Sequence, residues 1–195
     1  MDSAHGNKRH EHLSDASLVR EVALGRQAAL RVIMDRHMAM VLRTAYRILC
    51  DRTDAEEVTR KAFLKVWKCT YDSERYENIR LWLYRITVGL CHSCLSRRRL
   101  TDVLSIRFRV YEDQSPVAAS PEEEFITKES WAIFCRASQV LSPEQRIVST
   151  LIELDMLSME DVAVITGMSS ERIGNDLDAA VETVRQELER YGKVR

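Results

Sequence analysis

Proline and glycine are scarce in this 195-residue chain: it holds 3 Pro and 6 Gly, and all three prolines lie between positions 116 and 143. Two long stretches are therefore almost free of helix breakers, which argues against many short strands joined by tight turns. No apolar run approaches the roughly 18 residues of a membrane span. The opening stretch MDSAHGNKRHEHLSD is polar and lacks the apolar centre of a secretion signal, so a cytoplasmic location is expected. The five cysteines (Cys50, Cys69, Cys91, Cys94, Cys135) are odd in number and show no disulfide-framework spacing, which predicts reduced thiols. Cys91 and Cys94 formally match C-x-x-C. With no second such pair and no strand–helix context, packing inside a helix is the expected role, ahead of a metal or redox one. A Gly-rich phosphate loop, an H-E-x-x-H pair and a nucleophile motif are all missing, which disfavours an enzyme, and His37 and His92 lack ligand spacing. No cofactor and no metal are expected.

What is present is charge, and it is segregated. Hydrophobic residues make up 45% and charged residues 30%, a globular composition with a net charge of only −1. Residues 1–100 nevertheless carry a net +7, residues 101–140 a net −3 and residues 141–195 a net −5. A basic first half and an acidic second half point to different partners for each.

Apolar residues recur at helical spacing from Ser14 to Leu49, with Ser14 placed to cap the first helix and Gly25 where one helix hands over to the next. In DRTDAEEV, Asp54 and Glu57 resemble a capping box with Asp54 as N-cap. The helix it opens turns Ala55, Val58, Ala62, Phe63, Val66 and Trp67 to one side. KCTYDSERYENI has no period and reads as a loop, after which RLWLYRITVGLCHSCLSRRR resumes a helix ending in three arginines. These four helices make a first domain, 13–99. Residues 100–120 have linker composition, and a second domain, 121–190, begins with a helix near Pro121. Ser142 with Pro143 opens the next helix. Ser158 and Asp161 open another, Gly167 supplies a turn, and Ser169 or Ser170 caps a last helix anchored by Ile173 and Leu177. Ala163, Gly167 and Ile173 fit helix-turn-helix packing. The expected fold is all-α, with two small helical domains joined by a flexible linker.

DRTDAEEVTRKAFLKVW with LWLYRI…RRR, followed by LSPEQRIVSTLIELDMLSMEDVAVITGMSSERIGNDL, resembles the second and fourth conserved regions of bacterial RNA polymerase sigma factors of the extracytoplasmic-function (ECF) group. The resemblance covers about Leu13 to Leu188. It implies a four-helix region 2 that docks on the clamp of the polymerase largest subunit through Asp51, Asp54, Glu57, Arg60 and Lys61. Promoter opening at the minus-ten element would fall to Tyr71, Tyr76, Arg80, Trp82, Arg85, Arg97, Arg98 and Arg99: cations for the strand backbone, rings for an unstacked base. A helix-turn-helix region 4 would meet the polymerase flap and read minus-thirty-five DNA through Ser169, Ser170, Arg172 and Asn175. The implied partners are core polymerase, promoter DNA and an anti-sigma factor.

Departures from the family pattern are specific. Arg60-Lys61 stands where the family commonly has Gln-Glu, Gly89 where it usually has Asn, and Ser93 where it usually has Asp. The reading helix has Arg172 as its one basic side chain, beside Glu171, Asp176 and Asp178, where relatives carry several cations. Each lost Arg or Lys contact removes on the order of 1–3 kcal/mol of DNA affinity. Weak independent duplex binding is the expectation. Two readings follow: a working sigma factor led by its basic first domain, or a degenerate sigma-like decoy that engages polymerase or an anti-sigma factor without selecting promoters.

Overall fold

The computed structural model describes residues 10–68, 78–104 and 128–192, and within them all regular structure is helical. The helices are α1 (Asp15–Ala23), α2 (Gln27–Leu49), α3 (Arg52–Lys68), α4 (Ile79–Leu104), α5 (Lys128–Gln139), α6 (Pro143–Ser149), α7 (Met159–Thr166) and α8 (Ser170–Gly192). The start expected near Pro121 and the chain between Leu104 and Lys128 fall outside the described residues. Helix α4 runs on to Leu104, past the arginine cluster where the sequence pattern ends it.

Local chemistry sets most helix starts. The side chains of Ser14, Ser142 and Ser158 each accept from the backbone amide three residues on, and Gln145 closes a full capping box with Ser142. Ser169, rather than Ser170, caps α8 by accepting from the Arg172 amide. At α3 the expected cap is corrected. Asp51 accepts from the Asp54 amide, so Asp51 is the capping residue and the Asp54 side chain is left for another role.

Leu18, Val19, Val22, Ala29, Val32, Ile33, Val41, Ala62, Phe63, Val66, Ile79 and Leu83 form the buried centre of the α1–α4 bundle. A second buried cluster crosses between the two halves of the chain: Ile48, Leu49, Ala55, Val58, Val88 and Cys91 meet Trp131, Ile147, Val148, Leu151, Val162, Ile165 and Ile173. Helix α4 packs on α6 and α7, and α8 packs back on α6. The two halves are thus in direct apolar contact. After α6 the backbone widens into a π turn, Thr150–Leu154, which presents Leu154 and Asp155 to α2.

Two glycines give opposite expectations. Gly167 ends α7 in the left-handed region at φ 75°, while Gly174 lies inside α8, and an added Cβ at either position would meet nothing within 4 Å. Gly167→Ala should therefore cost about 1 kcal/mol of unfolding free energy, and Gly174→Ala should add roughly 0.5–1 kcal/mol. Urea unfolding of the two variants checks this. Shifts of the same sign would contradict the backbone argument.

Candidate nucleic-acid interface

The outward face of α3 carries charges in pairs. Glu57 and Lys61 are 2.5 Å apart and Arg52 and Glu56 2.9 Å apart, each pair at i,i+4. Lys61 holds the Glu57 carboxyl below its usual range, first through a hydrogen bond and then through its charge. Arg60 is exposed beside them, and so is Leu64, which is half exposed in spite of its apolar side chain. Sequence reasoning passed over Leu64. The signal was available: it is a leucine at a helical position facing away from the Ala62–Phe63–Val66 side. An exposed apolar residue ringed by charges is how the centre of many protein interfaces looks.

Asp54 and Arg98, expected to serve polymerase and DNA respectively, pair with each other in the folded chain. Arg98 Nη2 donates to Asp54, Nη1 donates to the Leu49 carbonyl at 2.9 Å, and Asp51 lies 3.7 Å away. Cys94 Sγ also donates to Asp54, at 3.5 Å. Arg98 is largely buried, and it ties the end of α4 to the α2–α3 corner. Arg99 donates to the Leu141 carbonyl at 2.9 Å, reaching the second half of the chain. The remaining cations of α4 lie differently. Arg80, Arg85 and Arg97 are exposed, with Arg80 5.9 Å over the Tyr84 ring. Arg85, Gly89, Ser93 and Arg97 follow at intervals of four along one exposed side, so two cations flank two small residues. Trp82 is half buried against the bundle centre. Tyr71 and Tyr76 lie outside the described residues.

Helices α7 and α8 form the expected helix-turn-helix, with Val162, Ile165, Ile173 and Ala180 buried. Ser169, Ser170, Arg172 and Asn175 are all exposed. Arg172 Nε sits 3.7 Å from Asp176, so the one cation in the first turns of this helix faces a carboxylate of its own chain. Opposite the buried side runs an exposed row of Glu171, Asn175, Asp178 and Glu182. Asp176 is only partly exposed. The sequence alone gave it the same outward position as Asp178.

Polar contacts reinforce the join between the halves, and sequence reasoning found none of them. Asp155, whose carboxylate is fully buried, accepts from Arg47 at 2.6 Å and from Thr44, while Arg47 also donates to the Leu154 carbonyl at 2.7 Å. Arg146 is buried and donates to the carbonyls of Ser138 and, at 3.4 Å, Ile48. His92 and Glu144 are 3.1 Å apart, and this hydrogen bond is the main reason the Glu144 carboxyl lies below its usual range. The rings of Tyr46 and Trp131 stack at 4.8 Å. Among the described residues, no cluster of His, Cys, Asp and Glu could hold a metal, and no helix is long and apolar enough to cross a membrane.

Comparison with known proteins agrees with this geometry. Residues 33–101 match the sigma-70 region 2 family. The chain is 29% identical over 185 residues to the ECF RNA polymerase sigma-E factor of Escherichia coli K12, an alignment covering 91% of this chain and 90% of that one. It is 26% identical over 177 residues to the ECF RNA polymerase sigma factor SigE of Mycolicibacterium smegmatis, covering 87% and 66%. Among solved structures it shares the fold of CnrH in complex with the cytosolic domain of CnrY, at a TM-score of 0.63 and 18% identity over 90% of this chain and 97% of that one. It also shares the fold of the sigma factor RpoE of Bartonella quintana in complex with the anti-sigma factor NepR, at a TM-score of 0.63 and 19% identity over 82% and 96%.

Proposed function

We infer that this chain is a sigma factor of the ECF group, and from that premise that it binds core RNA polymerase, selects promoters and opens DNA in transcription initiation. One observation carries the reading. The segment matching sigma-70 region 2 coincides with the α2–α4 bundle, which sets an exposed docking face on α3 beside the cation row of α4. The relatives described above are themselves RNA polymerase sigma factors, and the decoy reading draws no support from them.

Within this reading the roles divide by exposure. Glu57, Arg60, Lys61 and Leu64 dock on the clamp of the largest subunit, with Leu64 at the centre. Arg80, Arg85 and Arg97 hold the separated promoter strand, with Tyr71, Tyr76 and Trp82 as stacking groups. Arg98 with Asp54 fixes the angle between α3 and α4 and so positions both surfaces. Residues 13–99, extended by the end of α4 to Leu104, and 121–190 act as two modules, the second contacting the polymerase flap, and the rest of 100–120 tethers them. The protein contributes specificity to the polymerase's chemistry and has no reaction of its own. It acts in the cytoplasm, and an anti-sigma protein is a further partner, as for the RpoE neighbour.

The closed arrangement is then a resting form. Minus-ten and minus-thirty-five elements lie roughly 25 base pairs apart, about 85 Å at about 3.4 Å per step. Modules that share one apolar cluster cannot reach both at once. Opening must precede full promoter engagement, and it exposes the Arg99 and Arg146 sides of the join.

Reconstitution with core polymerase tests the function. The chain should bind core and give run-off transcripts with permanganate-reactive bases at the minus-ten element. Arg85→Ala with Arg97→Ala should leave core binding intact while reducing the salt slope of promoter binding by about 1 per arginine. A purified chain that does not associate with core polymerase would refute the reading.

A further inference from the structure

Gly89 lies in the middle of α4, and nothing inside the chain asks for a glycine there. It sits within the continuous helix Ile79–Leu104, and a Cβ added to it would meet no atom within 4 Å. A glycine inside a helix is a standing loss against alanine, and neither close packing nor left-handed backbone offsets it here. What remains is a reason outside the chain: a ligand that must come close to the backbone.

Gly89 is exposed, and the positions three and four away that share its face are Arg85, Ile86, His92 and Ser93. Ser93 is folded down, its hydroxyl donating to the Gly89 carbonyl at 2.9 Å, so its proton is spent on the helix backbone. Ile86 is half buried against the bundle centre. His92 holds Glu144 of α6 at 3.1 Å, which pairs that carboxylate of the second half. The result is a notch one side chain deep, floored by helix backbone, with an aliphatic edge at Ile86 and a cation at Arg85. Arg97 supplies a second cation about two turns further on. The Cα atoms of the two arginines are about 18 Å apart at about 1.5 Å per residue, at most about five stacked nucleotides of about 3.4 Å each. No acidic residue occurs between positions 85 and 97. Trp82 is on the same face, about two turns before Gly89.

We propose that this notch seats one unstacked base of the promoter strand held by Arg85 and Arg97, and that it accepts the base by shape, whatever its identity. The proposal rests on the strand-holding role given to α4 above. Two cations with no carboxylate between them favour a nucleic-acid strand as the occupant, and only an unpaired base can turn into a gap this shallow. Reading a base edge takes a side-chain donor or acceptor aimed at it. Glycine has neither, and the Ser93 proton is turned onto the backbone. Selection at this one position is therefore by bulk, while neighbouring positions keep preferences of their own.

Core polymerase carrying the full-length chain is given a promoter library randomised through the minus-ten element, and the templates it opens are recovered and sequenced. One melted position should accept all bases within about threefold of one another. Gly89→Asn places an amide donor and acceptor in the notch and should impose a preference of about tenfold or more at that same position. Gly89→Ala fills the notch with a methyl group and should lower opening on every template by about fivefold or more, with no new preference. The same variant should unfold at a higher temperature than the parent, so damage to the fold cannot account for its weaker opening. The face is exposed in the closed chain, so a short labelled single strand of mixed sequence tests the notch by anisotropy without polymerase. Gly89→Ala should weaken that binding about fivefold, and Arg85→Ala should lower its salt slope by about 0.7. A Gly89→Ala chain that binds the strand as the parent does, or a Gly89→Asn holoenzyme with an unchanged base profile, would overturn the proposal. A parent chain that opens no promoter with core polymerase counts against the function proposed above, while the strand-binding comparison decides the notch independently.

Discussion

Replacing Asp155 with alanine is expected to lower the unfolding free energy by about 3–5 kcal/mol, the usual cost of removing one partner from a buried ion pair. The Asp155 carboxylate has no solvent exposure and serves Arg47 and Thr44 on α2. Taking it away leaves the mostly buried Arg47 guanidinium without its carboxylate at the centre of the join. Asp155→Asn keeps an acceptor but removes the charge, so its cost should be smaller. Trp131 is buried in the same join against Tyr46, which makes its fluorescence a local reporter during urea unfolding. The change should appear first in that signal. A chain that no longer pays to separate its halves should also bind core polymerase more tightly, because more of it is already open. An Asp155→Ala midpoint matching that of the parent would mean that the apolar cluster alone holds the halves together.

Reversing charge on the outward row of α8 should produce the second large effect. Glu171 and Asp178 are both exposed on the side that a helix-turn-helix presents to DNA, whereas Asp176 is partly covered and paired with Arg172. Glu171→Arg with Asp178→Arg is therefore the cleaner pair to change. Each new arginine adds one phosphate contact and removes one repulsion. Duplex affinity should rise by roughly one to two orders of magnitude, and its salt slope should steepen by about 2. Fluorescence anisotropy with a random duplex at several salt concentrations measures both. Strong, sequence-selective duplex binding by the natural chain through α8, with no gain in the variant, would show that the acidic row does not weaken DNA contact.

The fold was legible where local rules decide it. The serine caps at 14, 142 and 158, the turn at Gly167 and the Ile173 anchor all appear where spacing put them, because each depends on residues within one turn. The cap at α3 was misplaced by three residues. Asp51 and Asp54 are both good capping residues, and only the position of Arg98 shows which of them has a second employer. The candidate site was legible as a set of residue types. Its working members were not, since RRR at 97–99 reads as three equivalent cations. In the folded chain Arg97 is exposed, Arg98 ties α4 to the α2–α3 corner and Arg99 reaches the second half.

Helix content, the division into a basic and an acidic half, and the negative sign of the α8 surface were therefore determined by sequence alone. They follow from composition and from intervals of three and four residues. Tertiary structure decided which charges stay exposed and that the halves close on Asp155 and Arg146. Those outcomes depend on side chains separated by about a hundred positions, and no local interval encodes such a meeting. It is settled only when the apolar faces of distant helices are buried against each other and every charge caught between them must find a partner.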